Sequence, residues 1–199
     1  MIKRQAEANF PTDYGMFRMI AFSEREKDWM PHFALIAENT DLSKVVNIRF
    51  HSECITGEVF HSKKCECGPQ LDYALEYMQK NGGAVVYLRQ EGRNIGIINK
   101  LRAYELQEKG RDTVEANLDL GLPVDARDFT VAVEILKQLG ISEINLLTNN
   151  PLKMEAVENS SVKLVQRIPL QIASTKDNED YLSVKKDYFG HMLEEDFEG

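Results

Sequence analysis

Apolar residues fall in short runs over the first fifty positions and at helical spacing after that. FRMIAF, HFALIA and VVNIRF have the length and content of strands, and PTDYG supplies a turn between two of them, so residues 2–50 are predicted to be mainly strand. The period changes at Gly68. Leu71, Ala74, Leu75 and Met78 stand at i, i+3, i+4 and i+7, one face of a helix that ends at Asn81-Gly82-Gly83. AVVYL follows as a buried strand, then the loop RQEGRNIG. A second helix is predicted from near Ile95 to near Gly110, with Ile97, Ile98, Leu101 and Tyr104 on one side. A third carries Val131, Ala132, Ile135, Leu136 and Leu139 and stops at Gly140. The strand INLLT, the break NNP, a short helix after Pro151 and the strand VKLVQRIP complete the core. Helices alternating with strands from residue 68 onward predict an α/β fold: a mixed β-sheet flanked by helices, with an antiparallel N-terminal portion.

Composition narrows the class. With 199 residues, 43% hydrophobic and 28% charged, the chain suits one globular domain, expected over 1–193, with EEDFEG at 194–199 as a mobile acidic tail. MIKRQAEANF lacks the apolar stretch of a secretory signal, and no segment approaches the roughly 20 apolar residues that cross a bilayer. A cytoplasmic location without a membrane partner is expected. The formal charge of -8 speaks against a nucleic-acid partner, which calls for a basic stripe. A small anion remains compatible, because Arg89, Arg93, Lys100, Arg102, Arg111 and Arg127 gather in the middle of the chain.

All three cysteines lie in CITGEVFHSKKCEC, residues 54–67. In a reducing compartment such a cluster points to metal binding or catalysis rather than disulfides. Read as an extended segment, Cys65 and Cys67 project to the same side, and Cys54 returns to them after an excursion that includes Gly57. Thiolates favour zinc, and three protein ligands leave a fourth position for a water whose pKa falls to about 7. Buried unliganded cysteines, or a closed structural site with His51 or His61 as fourth ligand, are the alternatives. Three further segments suit an anion. RQEGRNIG joins a strand to a helix, where backbone amides and the helix dipole favour negative charge. TNNPLK offers Thr148, a capping Asn149 or Asn150, Pro151 and Lys153, although ordinary helix capping accounts for it equally. VDARDF sets Asp125, Arg127 and Asp128 before a helix, as a phosphate clamp or a salt-bridge network.

Taken together, RFHSECITG, CECG, QEGRNIGIINKLRAYELQEKG, DTVEANLDLG, DARDF and LLTNNPLK resemble GTP cyclohydrolase II in order and spacing over about residues 3–193. The resemblance implies conversion of GTP to 2,5-diamino-6-(5-phosphoribosylamino)pyrimidin-4(3H)-one, formate and pyrophosphate, the first step of riboflavin biosynthesis. It also implies one zinc ion on Cys54, Cys65 and Cys67. GTP would be held by Arg49, Phe50, His51, Ser52, Glu53, Gln70, Glu91, Gly92, Arg93, Thr113, Thr148 and Lys153. Asp125 matches the family's proton acceptor, Arg127 its nucleophile, and Tyr104 the tyrosine that assists at the ring carbon. Hydrogen bonds from residues such as Gln70 or Glu91 to guanine would exclude adenine. Mg2+ is expected with the triphosphate, and a homodimer as the assembly. Departures are mild: Lys64 and Glu66 replace the Arg and Asp frequent in the family, and Ile97-Ile98 replace leucines. The family is often fused behind a 3,4-dihydroxy-2-butanone 4-phosphate synthase domain, and this chain resembles the stand-alone form. Two rival readings stay open at this point. A base deaminase shares the H-x-E of His51-Ser52-Glu53 but needs a PCxxC that the chain lacks, and a nucleotide sensor would keep zinc only as a staple.

Overall fold

The computed structural model describes residues 1–170 together with 172, 188, 190 and 192. The expected tail at 194–199, and the domain end at 193, lie outside the described residues. Four strands come first: β1 (Lys3–Thr12), β2 (Gly15–Ser23), β3 (His32–Ala37) and β4 (Val46–Ser52). A one-turn helix α1 (Ile55–Glu58) leads to α2 (Cys67–Asn81) and then β5 (Ala84–Leu88). Next come the short turn α3 (Glu91–Asn94), α4 (Ile97–Glu108), α5 (Thr113–Asp119) and α6 (Thr130–Gln138). The series closes with β6 (Glu143–Leu147), α7 (Pro151–Glu158) and β7 (Lys163–Ile168).

The strands form one sheet in the order β1-β2-β3-β5-β4-β6-β7. Pairing is antiparallel from β1 through β3 to β5 and parallel from β5 through β4 and β6 to β7. The mixed sheet with its antiparallel N-terminal portion is therefore present. Alternation along the strands sorts side chains into two cores. Ile48, Phe50, Val86, Leu88 and Ile144 pack with Phe129, Ala132, Ile135 and Leu136 on one face. Val85 and Leu147 pack with Ala74, Leu75 and Met78 of α2 on the other. Because side chains alternate with a period of two, Arg49 and His51 must lie on the face opposite Phe50. The parallel strands β4, β5 and β6 end side by side, so the segments that leave them meet above one edge of the sheet, where open α/β folds gather ligand-binding residues.

Three elements depart from the sequence pattern. β1 is almost entirely exposed or half-exposed, so it carries no apolar run, and hairpin pairing with β2 makes it a strand. α5 is too short for a readable stripe. A capping box holds it instead, with Asp112 accepting from Val114 N and Glu115 N while Glu115 accepts from Asp112 N. α4 forms as predicted, but its apolar side does not enter the core: Ala103 is buried, whereas Ile98 is 66% and Leu101 53% exposed. This helix packs on α5 and α3 beside a cavity rather than on the sheet.

Candidate active site

The three thiols meet where α1 and α2 cross. Cys54 precedes α1 as its N-cap and Cys67 opens α2. Residues 65–67 are therefore not extended as the spacing suggested; Glu66 is the N-cap of α2, and the helix start brings Cys65 and Cys67 to the same point. The sulfurs lie within 4.8 Å of one another, with Cys54 Sγ 3.6 Å from Cys65 Sγ. Tetrahedral thiolates bonded to zinc at about 2.3 Å lie roughly 3.8 Å apart, so the trio fits such an ion. Among the described residues no histidine or carboxylate joins the group. His51 is turned away, its Nε2 donating to Glu58 at 2.8 Å. Hydrogen bonding from Cys65 and Cys67 lowers the Cys54 thiol, whereas hydrogen bonding to Cys54 together with burial raises Cys65 and Cys67. A cation bound to all three would favour the thiolate form of each.

Two glycines make the crossing possible. A Cβ on Gly68 would stand 2.5 Å from the Gly57 carbonyl oxygen, and one on Gly57 would stand 2.8 Å from Cys65 Sγ. Gly68→Ala must push α1 off α2, and it is expected to cost about 1–3 kcal/mol of stability and to lower metal content. Thermal melting and elemental analysis of the purified variant check this; an unchanged melting temperature with one metal per chain would refute the close-approach reading.

A cavity of about 730 Å³ opens beside the thiols. Ser52, Glu53 and the three cysteines line one side, and Glu91, Gly92, Arg93, Tyr104, Thr113 and Arg127 line the rest. The loop RQEGRNIG is not a simple strand-to-helix turn. Gly92, Arg93 and Asn94 occupy the left-handed region at φ 61°, 58° and 69°. Asn94 Nδ2 donates to the Ala126 carbonyl at 3.0 Å and Ala126 N donates to that of Arg93 at 3.1 Å, which ties this loop to the segment bearing Arg127. Arg93 and Arg127 thus reach one cavity from different loops. Arg127 is gripped by Asp125, with Nε to Oδ1 at 2.9 Å and Nη2 to Oδ2 at 2.5 Å. Burial works to raise the Asp125 pKa, but the hydrogen bond and charge of Arg127 outweigh it and hold the carboxyl below its usual range. The Tyr104 ring lies 4.6 Å from Lys64 Nζ and 5.9 Å from Lys100 Nζ.

Other residues expected to touch a ligand lie deeper. Arg49 is buried, donating to Gln70 Oε1 at 2.7 Å and to the Leu147 carbonyl at 3.1 Å, and burial brings its pKa down to about 10. Gln70 also donates to Glu66 Oε1 at 3.0 Å. The Phe50 side chain is fully enclosed in the opposite core. Thr148 is buried and accepts from Asn150 N at 3.0 Å. Lys153 points inward, donating to the Phe50 carbonyl at 2.8 Å. Asn150 caps α7 by accepting from Leu152 N at 2.9 Å, with Pro151 at the first helical position, so TNNPLK builds a helix start. Of the basic residues gathered by sequence, Arg89 pairs at 2.9 Å with Glu53 of the cavity wall, whereas Arg102 bonds Asn99 on the surface, outside the cavity lining. The sequence reading gave no role to Glu58 and counted Lys100 only among the basic residues suited to an anion. Lys100 Nζ reaches Cys54 Sγ at 3.1 Å, Thr56 Oγ1 at 2.8 Å and Glu91 Oε1 at 2.8 Å. Its contact with a thiol is foreshadowed in the sequence by no more than its place one turn into the helix after a glycine loop.

The family model described as GTP cyclohydrolase II matches residues 3–169, most of the chain. The chain belongs to the GTP cyclohydrolase II family. It is similar to the GTP cyclohydrolase-2 of Neisseria gonorrhoeae, at 48% identity over 196 residues covering 98% of each chain. It is also similar to the riboflavin biosynthesis protein RibBA of Bacillus cereus, at 46% identity over 97% of this chain and 49% of that protein. The corresponding RibBA of Staphylococcus epidermidis is 47% identical over 96% of this chain and 48% of its own length. Membership of the GTP cyclohydrolase II family makes the chain an enzyme, which displaces the sensor reading, and the mixed sheet agrees with that family. No described helix is long and apolar enough to cross a membrane.

Proposed function

We propose that this protein hydrolyses GTP to 2,5-diamino-6-(5-phosphoribosylamino)pyrimidin-4(3H)-one, formate and pyrophosphate as the first step of riboflavin biosynthesis, with one Zn2+ held by Cys54, Cys65 and Cys67. The supporting observation is that three thiols meet on the wall of the 730 Å³ cavity that also presents Arg93, Arg127 and Tyr104. Its volume suits a nucleotide. Zinc would supply Lewis acidity and an activated water for the imidazole carbon of the purine.

The chain's own groups do the rest. Tyr104 stands at the cavity wall, linked to the thiol cluster through Lys100, where a phenol can orient or protonate the opening ring. Arg93 and Arg127 meet the phosphates. A guanidinium stays protonated in proteins, and the Asp125 carboxylate, held below its usual range, is a weak base for removing its proton. Clamping phosphate oxygens therefore suits Arg127 better than covalent attack on phosphorus, and Mg2+ would accompany the triphosphate. Arg49, Gln70, Thr148 and Lys153 support the site from the buried layer beneath it. A cytoplasmic location and a homodimer belong to the same proposal, and the exposed Ile98 and Leu101 of α4 support the second.

Incubating the zinc-loaded protein with GTP and Mg2+ should release formate and pyrophosphate in equal amounts, and chelation should stop formate release until Zn2+ is restored. Ammonia in place of formate would overturn the reading in favour of a deaminase, and unchanged GTP would overturn it outright.

A further inference from the structure

We propose that Glu58 and Glu91 are positioning residues that clamp the Cys54 turn from both sides and thereby set the geometry of the metal site. The inference rests on the reading of the cysteine trio as a zinc site. Cys65 and Cys67 lie at the start of a fifteen-residue helix packed on the sheet. Cys54 has no such support, because the four-residue α1 that it caps is too short to hold its own shape. Its first backbone amides have no carbonyl partner within the helix.

Two carboxylates take those amides. Cys54 N donates to Glu58 Oε1 at 2.7 Å, and Ile55 N donates to Glu91 Oε2 at 2.6 Å. One carboxylate comes from the last residue of α1 and the other from the turn after β5, so the peptide units flanking the Cys54 side chain are fixed from separate elements. Each carboxylate is itself held. Glu58 also accepts from His51 Nε2 at 2.8 Å and from the Tyr87 hydroxyl at 2.6 Å, and the two donor rings stack with centroids 5.6 Å apart. Glu91 Oε1 accepts from Gly92 N at 2.7 Å and Lys100 Nζ at 2.8 Å. Lys100 closes the circuit by reaching Cys54 Sγ at 3.1 Å. Both side chains are nearly enclosed, Glu58 at 7% and Glu91 at 10% exposure, so each has every reason to keep these partners. His51, whose sequence position suggested a substrate contact, is 2% exposed and belongs to this support.

Zinc retention and a Co2+ spectrum test the clamp. In the zinc-loaded protein, Glu58→Ala and Glu91→Ala should lose metal to a competing chelator about 10–100-fold faster than the unaltered chain, the usual scale for groups that orient ligands. Glu58→Gln keeps an acceptor for Cys54 N and should restore retention to within about threefold. The thiolate-to-metal band of the Co2+-substituted alanine variants should shift. The clamp is overturned if the alanine variants hold zinc like the unaltered chain. It is equally overturned if faster loss only follows a lower melting temperature of the metal-free protein, with an unshifted Co2+ band and no rescue by glutamine. Should Glu58→Ala fail to fold, Glu91→Ala decides alone. A failure of the unaltered chain to bind zinc at all would instead overturn the zinc reading.

Discussion

Cys65→Ser is expected to strip zinc from the protein and to reduce formate release at least about a thousandfold, a barrier increase of roughly 4 kcal/mol. A serine hydroxyl stays protonated where a thiol yields its proton to zinc, so the site would keep two sulfurs of three. Cys54 Sγ and Cys65 Sγ lie 3.6 Å apart, so the change removes one half of that contact. It should not unfold the chain. Serine is no larger than cysteine, and the tight neighbour of Cys65 Sγ is Gly57, which tolerates a smaller atom there. Elemental analysis, a formate assay and a melting curve of the metal-free protein read the three consequences separately. Zinc and formate release both retained would demote the cluster to an ordinary buried group.

Arg127→Ala should reduce pyrophosphate release by about 10²–10³-fold, the loss typical when one preorganised charged donor leaves a developing anion. The same change strands Asp125. In the unaltered protein Asp125 is held below its usual carboxylate range by Arg127, so the pair contributes stability that is present above about pH 4 and is lost as pH falls through the depressed value. Without the guanidinium, burial is opposed only by the backbone N–H of residue 127 and the Arg93 charge, and the carboxyl pKa rises. The variant should therefore be destabilised at neutral pH and recover relative to the unaltered chain on mild acidification, which melting curves across pH 4–8 would display. Asp125→Asn separates the two roles open to Arg127. A clamp keeps its charge and most of its activity when the partner is neutral, whereas a nucleophile that needs its proton removed loses activity as fully as Arg127→Ala. Unchanged pyrophosphate release in Arg127→Ala would end any phosphate role for this residue.

Much of the fold was legible because its helices α2 and α6 lay an apolar stripe on a sheet whose strands alternate, and both periods show in the sequence. The stripe of α4 was equally visible, yet nothing in a periodic pattern says whether the stripe meets a sheet or borders a cavity. β1 and α5 left no such trace, since one is held by hairpin pairing and the other by its cap. The site was legible as segments. That Cys54, Cys65 and Cys67 act together followed from their crowding, and the left-handed run at Gly92–Asn94 could be suspected from its glycine. Depth was not legible: Arg49, Thr148 and Lys153 look as available in the sequence as Arg93 or Arg127, but they are buried.

Residue type and local spacing were thus enough for most of the elements, the α/β class, the family and the grouping of the three cysteines. Only the tertiary structure decided which polar groups face the cavity and which serve beneath it. The physical reason is that strand alternation and the crossing of α1 on α2 assign a side chain to a face through contacts distant in the chain. Glu58 and Lys100 acquire their roles solely from neighbours that folding brings within hydrogen-bonding reach.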